Sequence, residues 1–226
     1  VEVCGEGPWH DPGGNVSPMI EPPQPPATPD DGTSIAVLAV DVQRDFCPGG
    51  ALAVADGDRV VTVLNRILDA AHTRGFPVYA TRDWHPPDSR HFLAGGGSWP
   101  VHCVAGSQGA QFHPDLRLPD GTQVVNTGTE TDSDGYSAFE GTLDDGTPLA
   151  EDLRRRGITH MVAGGLATDY CVRHSVLDAI RGGWRVTLVT DAIAAVDLKP
   201  GDGAHALEEM RAAGAELRQS TELDLW

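Results

Sequence analysis

The chain has 226 residues, of which 40% are hydrophobic, enough to bury one good core, and α/β domains of this size commonly fold as a single unit. Its formal net charge of −17 argues against nucleic acid, whose phosphates would repel it, and against adhesion to an anionic membrane, and it points to a strongly solvated surface. There is no run of 18 apolar residues to span a bilayer, and the four cysteines have no CxxC pairing, which suits a reducing, cytoplasmic setting better than a disulfide framework.

Residues 1–33 hold eight of the 17 prolines, six acids and no lysine or arginine, a composition expected to give an extended or disordered tail. The segment lacks a basic start and an apolar stretch, so it does not read as a secretory signal. Gly5 to His10 could pack on a neighbouring subunit, which leaves a homo-oligomer open. The domain proper is expected over residues 34–226. Its first strand is Ile35 to Asp41, a continuous apolar run of the kind found in a central parallel strand, ending in a carboxylate. Asp58 to Arg74 carries Val60, Val61, Leu64, Ile67, Leu68 and Ala71 at helical spacing and stops at Gly75.

A second strand, Pro77 to Ala80, leads into residues 86–122, a long loop-rich insertion of the kind that is usually functional. The third strand is Gln123 to Thr127. Thr147 is a good N-cap for a helix with Pro148 at its first position and Gly157 at its stop. Thr159 to Ala163 is the fourth strand, followed by a helix capped by Thr168 and running to about Ile180. Arg185 to Thr190 is the fifth strand, Gly203 to Ala213 the last helix, and Ala215 to Leu217 a short edge strand. This alternation predicts a three-layer α/β/α, Rossmann-like domain with a six-stranded, mainly parallel sheet.

Three groups of residues carry chemistry. In Gly165-Leu166-Ala167-Thr168-Asp169-Tyr170-Cys171-Val172, a cysteine sits in the first turn of a helix that follows a buried strand. With Thr168 as N-cap, Cys171 is the third helical residue, where free N–H groups and the helix dipole favour thiolate. Such a cysteine is either a nucleophile or a small side chain that packs. Asp83, His85, His91 and His102 place one carboxylate and three imidazoles within twenty residues. They suit zinc, iron or manganese with room for water or substrate, or they form a polar surface. Asp41 is the third element. Ligands of open α/β sheets bind beyond the carboxyl ends of the strands, and Asp41, Asp83 and Cys171 all belong to that edge.

Together these residues resemble the nicotinamidase/pyrazinamidase branch of the isochorismatase-like cysteine hydrolases. The matching words are Asp41-Val42-Gln43-Arg44-Asp45-Phe46-Cys47-Pro48-Gly49-Gly50, Thr81-Arg82-Asp83-Trp84-His85-Pro86, Ser98 to Val104, Gly135-Tyr136-Ser137-Ala138-Phe139 and Gly165 to Arg173, in unbroken order between Ser34 and Leu217. The resemblance implies a triad of Asp, Lys and Cys, in which Asp41 and Cys171 match. It implies one divalent metal, zinc first and iron or manganese next, on Asp83, His85, His91 and His102, which makes 86–122 a metal-site insertion. It implies a substrate pocket of Phe46, Trp99 and Tyr136, aromatics that could otherwise be ordinary core. Leu166-Ala167 matches a cis peptide that turns backbone N–H groups, Ala167 among them, toward the nucleophile. Leu166 and Tyr170 then belong to the pocket, Tyr170 standing where the mycobacterial type has histidine.

The triad lysine is missing. Thr127 stands in its place, before Gly128, and Lys199 is the chain's one lysine. Arg44 and Arg82 lie near strand ends but lack lysine's compact geometry. Thr127 is either a tolerated variant or the mark of lost or redirected activity. The activity the resemblance implies is hydrolysis of a small amide, nicotinamide to nicotinate and ammonia, through a thioester on Cys171 with Asp41 as base. Streptothricin-hydrolase-like opening of a lactam and a catalytically silent binding protein are the alternatives.

Overall fold

The computed structural model describes residues 34–223. The expected tail over 1–33, with Cys4 and His10, lies outside the described residues. The elements in chain order are β1 Ile35–Val40, α1 Arg59–Thr73, β2 Val78–Asp83, β3 Gln123–Thr127, β4 Thr142–Leu143, α2 Leu149–Arg155, β5 His160–Leu166, α3 Arg173–Arg181, β6 Arg185–Ala194, α4 Asp202–Ala213 and β7 Glu216–Arg218. They form one seven-stranded sheet in the order β4-β3-β2-β1-β5-β6-β7, parallel throughout except for the β3–β4 pair.

The alternation of β1 shows why the sheet is covered on both faces. Val37 and Ala39 join α1 and the 86–122 insertion in one core, while Ala36, Leu38 and Val40 join α2, α3 and α4 in the other. A strand buried on both sides must be apolar at every position, which is what Ile35 to Val40 supplies. The chain leaves β1 on one side to β2 and returns on the other to β5, so the ends of β1 and β5 flank the crevice where the winding reverses.

The structure corrects the sequence reading in four places. Among the described residues there are seven strands, not six. The added β4 is two residues long, too short to show alternation, and exists as a hairpin arm paired to Val125 and Asn126. Pro148, not Thr147, caps α2, because Pro148 is extended (ψ 140°) to bridge Thr142 across the tight turn that follows β4. β2, β5 and β6 run on to Asp83, Leu166 and Ala194, past their predicted ends, the last residues of β6 alongside those of β5. Ala167, not Thr168, caps the turn that carries the cysteine. Thr168–Val172 is a π-helical turn, in which the Ala167 carbonyl accepts from the N–H groups of both Tyr170 and Val172 at 3.1 Å, and α3 begins only at Arg173.

Gly165 fixes the end of β5 against β1. Its φ is +135°, and a methyl group there would lie 2.0 Å from the Val40 carbonyl oxygen. Gly165→Ala is therefore expected to cost about 3 kcal/mol or more, from backbone strain plus overpacking, read as a lowered denaturant midpoint.

Candidate active site

Three strand ends carry the chemistry. Asp41 follows β1 with φ 46°, a left-handed conformation unusual for a non-glycine residue. Thr81 of β2 holds it there, accepting from the Asp41 N–H at 3.0 Å and donating its hydroxyl to Oδ1 at 2.5 Å. The Cys171 thiol donates to the same carboxylate, and both residues are buried. Burial first, then the nearby Asp83 carboxylate, push Asp41 up to about 7, while the bonds from Thr81 and Cys171 pull the other way. Burial also pushes the Cys171 thiol well above its ordinary value, with Asp41 and Asp83 adding to the rise. The expectation that the helix dipole would favour thiolate is thus reversed. The cysteine sits in a π turn rather than at an α-helical N-terminus, and desolvation with two adjacent carboxylates outweighs any dipole.

The second group is the carboxylate and imidazole cluster. Ring nitrogens of His85, His91 and His102, all buried, lie within 4.8 Å of one another. Each ring is aimed by its other nitrogen. Nδ1 of His85 meets the Gly128 carbonyl at 3.1 Å, Nδ1 of His102 the Pro100 carbonyl at 2.8 Å, and Nδ1 of His91 an Asp134 carboxylate oxygen at 2.9 Å. Carbonyl oxygens only accept, so the proton of His85 and of His102 resides on Nδ1 and the Nε2 lone pair faces inward. His85 Nε2 is buried without a hydrogen-bond partner among the described residues. Asp83 Oδ2 lies 3.3 Å from it and 3.5 Å from His102 Nε2. Burial raises Asp83, and the His102 and His85 rings lower its carboxyl to about 2 only when their inward nitrogens carry protons; with the lone pairs turned inward, a bound cation takes that part. Lone pairs and a carboxylate converging in a dry site need a cation between them, and this donor set with its outer hydrogen bonds fits a divalent metal.

Cys171, Ala167, Asp83, His91 and His102 face one chamber, whose walls are Phe46, Leu52, Trp99, Tyr136, Tyr170 and Val196. Trp99 Nε1 donates to the Tyr136 hydroxyl at 2.8 Å, and the Trp99 and Tyr170 rings meet edge to face at 4.9 Å. The chamber thus brings together every predicted catalytic, metal and aromatic residue except Asp41, His85, Thr127 and Leu166; Asp41 lies just behind it, bonded to Cys171, and so does His85 in the imidazole cluster, against Asp83. Leu166 is fully buried, and its peptide bond to Ala167 is cis. Thr127 ends β3 beside Asp83, its hydroxyl 3.3 Å from Asp83 Oδ1 and from the Arg82 carbonyl. It therefore touches the metal-binding group and not the Asp41–Cys171 pair.

No lysine or arginine lines the chamber. Arg82 turns to the other side of β2, stacked 3.9 Å over Trp84 and bonded to Asn126. Arg44 faces a separate cavity of about 390 Å³ with Asp45, Cys47, Gln108 and His113, larger than the chamber; its one thiol, Cys47, is pushed up to about 11 by burial and by Asp58 and has no ligand cluster beside it among the described residues. Lys199 is exposed on the loop after β6.

Sequence reasoning gave no role to four residues that hold the site. The buried Gln43 donates Nε2 to the carbonyls of Asp83 at 2.8 Å and Ala110 at 2.9 Å, and accepts from the Asp83 N–H at 2.9 Å. Thr81 orients Asp41, Asp134 orients His91, and Asp45 accepts from the Cys103 N–H at 2.8 Å. Gln43, Asp45 and Thr81 lay within the motif words, so their signal was present but unassigned. Asp134 lay between words and gave none.

Residues 35–222 match the isochorismatase domain. The chain belongs to the isochorismatase family. It is 43% identical over 201 residues to the nicotinamidase of Escherichia coli, covering 80% of this chain and 93% of that protein. It is 40% identical over 185 residues to the nicotinamidase/pyrazinamidase of Mycobacterium tuberculosis, covering 80% and 97%. Among solved structures, the pyrazinamidase of Pyrococcus horikoshii in complex with zinc superposes with a TM-score of 0.76 at 40% identity, covering 82% of this chain and 99% of that one.

His85→Ala and His102→Ala are each expected to lower the metal retained by dialysed protein at least about tenfold. The exposed His205→Ala and the buried Cys103→Ala should retain wild-type metal, all read by elemental analysis. Equal metal in all four variants and the wild type would remove the site.

Proposed function

We propose that the protein is a metal-dependent cysteine amidohydrolase that converts nicotinamide to nicotinate and ammonia. One observation carries the reading: a cysteine hydrogen-bonded to a buried carboxylate opens onto the same aromatic-walled chamber as an aimed Asp-His-His-His cluster. The relatives' activities and the zinc in the archaeal structure support the choice of amide and of zinc before iron or manganese.

The chain's own groups account for the proton movements. Asp41, near neutrality in its pKa, takes the proton from Cys171 as the sulfur adds to the carboxamide carbon. The backbone N–H groups of Ala167 and Cys171 are the donors assigned to the oxyanion. Asp41 then returns the proton to the amide nitrogen, the C–N bond breaks, and ammonia leaves an acyl thioester on Cys171. Asp41 next draws a proton from water as the water oxygen attacks the thioester carbonyl, and the proton passes to the departing sulfur, restoring the thiol. Phe46, Trp99 and Tyr136 sandwich and orient a flat heteroaromatic ring. A divalent ion on Asp83, His85, His91 and His102 would supply Lewis-acid polarisation and fixed positive charge in a chamber that has no lysine or arginine. The three buried free thiols, Cys47, Cys103 and Cys171, agree with a reducing, cytoplasmic setting.

A second reading rests on Thr127, which leaves the Asp41–Cys171 pair without an ammonium. It is that the activity is redirected to another amide or lactam, or silent. Ammonia release from nicotinamide and pyrazinamide by protein loaded with zinc, iron or manganese separates the two. Turnover sinks the silent protein, and release from a different amide alone moves the substrate. Cys171→Ala should lower turnover by roughly 10³-fold or more with metal content kept, and activity above about one per cent of wild type would count against Cys171.

Thr127→Lys tests the missing charge. A cation reaching from position 127 toward Asp41 and Cys171 favours both ionised forms, so the pH profile of Cys171 alkylation should move to lower pH and the amidase rate should rise. A well-folded variant with an unmoved profile would show that position 127 does not act on the pair.

A further inference from the structure

Two cavities meet at one side chain. The chamber above Cys171 has a volume of about 30 Å³, roughly one water molecule's share of the liquid and far below the ~300 Å³ of a small ligand pocket. Beside it, where the 168–172 turn meets the start of α4, runs a groove of about 270 Å³ lined by Asp169, Tyr170, Arg173, Asp202, His205 and Ala206. Tyr170 alone lines both.

The surrounding groups are fixed. The Asp169 carboxylate accepts from the N–H groups of Val196 and Asp197, each at 2.9 Å. Arg173 forks onto Glu209 at 2.6 and 3.1 Å, and Asp202 accepts from the Lys199 N–H at 2.9 Å. On the chamber side Trp99 is bonded to Tyr136, which stacks on His174 at 5.1 Å. Tyr170 differs from all of these. Its phenol oxygen shares no hydrogen bond with a described residue, and its half-buried ring is held by an edge contact with Trp99 and a tilted contact with Tyr136 at 5.7 Å. Turning the ring into the groove would strand no polar group, whereas Trp99 and Tyr136 are bonded to each other and the apolar walls Phe46, Leu52 and Val196 do not border the groove.

We infer that the Asp169–Arg173–Asp202–His205 groove is the substrate entrance and that the Tyr170 ring is its door, so that Tyr170 sets the upper size of the amide that reaches Cys171. A flat, uncharged carboxamide enters when the ring swings outward, and the displaced ring then rests against it at the chamber mouth. Amides with a bulky substituent are excluded by the ring and not by the walls behind it, and removal of the ring joins chamber to groove. This inference rests on the amidase reading for the identity of the substrate, but its test is read on the thiol alone, so the two fail separately.

The test is alkylation of Cys171 in metal-loaded protein by iodoacetamide and by the bulkier N-benzylmaleimide, followed by peptide mass spectrometry. Tyr170→Ala should raise the maleimide rate at Cys171 about tenfold or more and the iodoacetamide rate less than about threefold. His205→Trp, at an exposed position, fills the groove while keeping Tyr170, and should slow both reagents several-fold. An unchanged maleimide rate in Tyr170→Ala, or an equal rise for both reagents, overturns the door. Unslowed labelling in His205→Trp overturns the groove as the route, whether or not Tyr170→Ala folds.

Discussion

The whole sheet edge is organised around negative charge that has no lysine or arginine to meet it. Asp41 and Asp83 are both buried, each raises the cost of ionising Cys171, and no lysine or arginine lines the chamber they share. Two unscreened carboxylates in a dry site are costly. The protein resolves the conflict differently at each. Asp83 stands among imidazoles whose lone pairs await the cation that would keep it ionised, and Asp41 is left close to neutral pH, sharing its proton with a thiol. The same tension that would destabilise an ordinary interior here separates a metal ligand from a proton carrier.

The topology explains why these groups meet. β1 is the strand from which the winding reverses, with β2 on one side and β5 on the other. Asp41, Asp83 and Cys171 follow three adjacent strands and share one rim without any long-range search by flexible loops. Thr127, at the end of the next strand out, is one strand further from the nucleophile. A long side chain could bridge that distance and a threonine cannot.

Much of this was legible in the sequence, and the misses have physical causes. The apolar run of β1, the helical stripe of α1 and the turn glycines each follow from one local rule, so the architecture and the residues at the strand ends could be read directly. The motif words pointed to Asp41, the His cluster and Cys171 through their resemblance to a family, because the spacing of the imidazoles alone left a metal site and a polar surface equally open. Caps were misread at Thr147 and Thr168 because a hairpin and a π turn, both set by tertiary pairing, displaced the local preference. The ionisation of Cys171 was misread for a similar reason. The dipole of its own turn is visible in the sequence, but the desolvation and the charges of Asp41 and Asp83 arise only when strands far apart in the chain are folded side by side.

Gln43 has a further consequence for how the long insertion is ordered. Between the ends of β2 and the start of β3 the chain has almost no regular structure of its own. It is tacked down where His85 bridges Val104, and again where the Gln43 amide grips Ala110 while its backbone bridges Phe112. One wandering loop thereby becomes a series of short closed ones. Because closure entropy grows only slowly with length but ordering is counted per residue, fasteners at these points let each arc settle against a fixed edge. Two imidazoles of the cluster ride on the first of these arcs, so the amide that clips the far arc in place also sets the floor on which they stand.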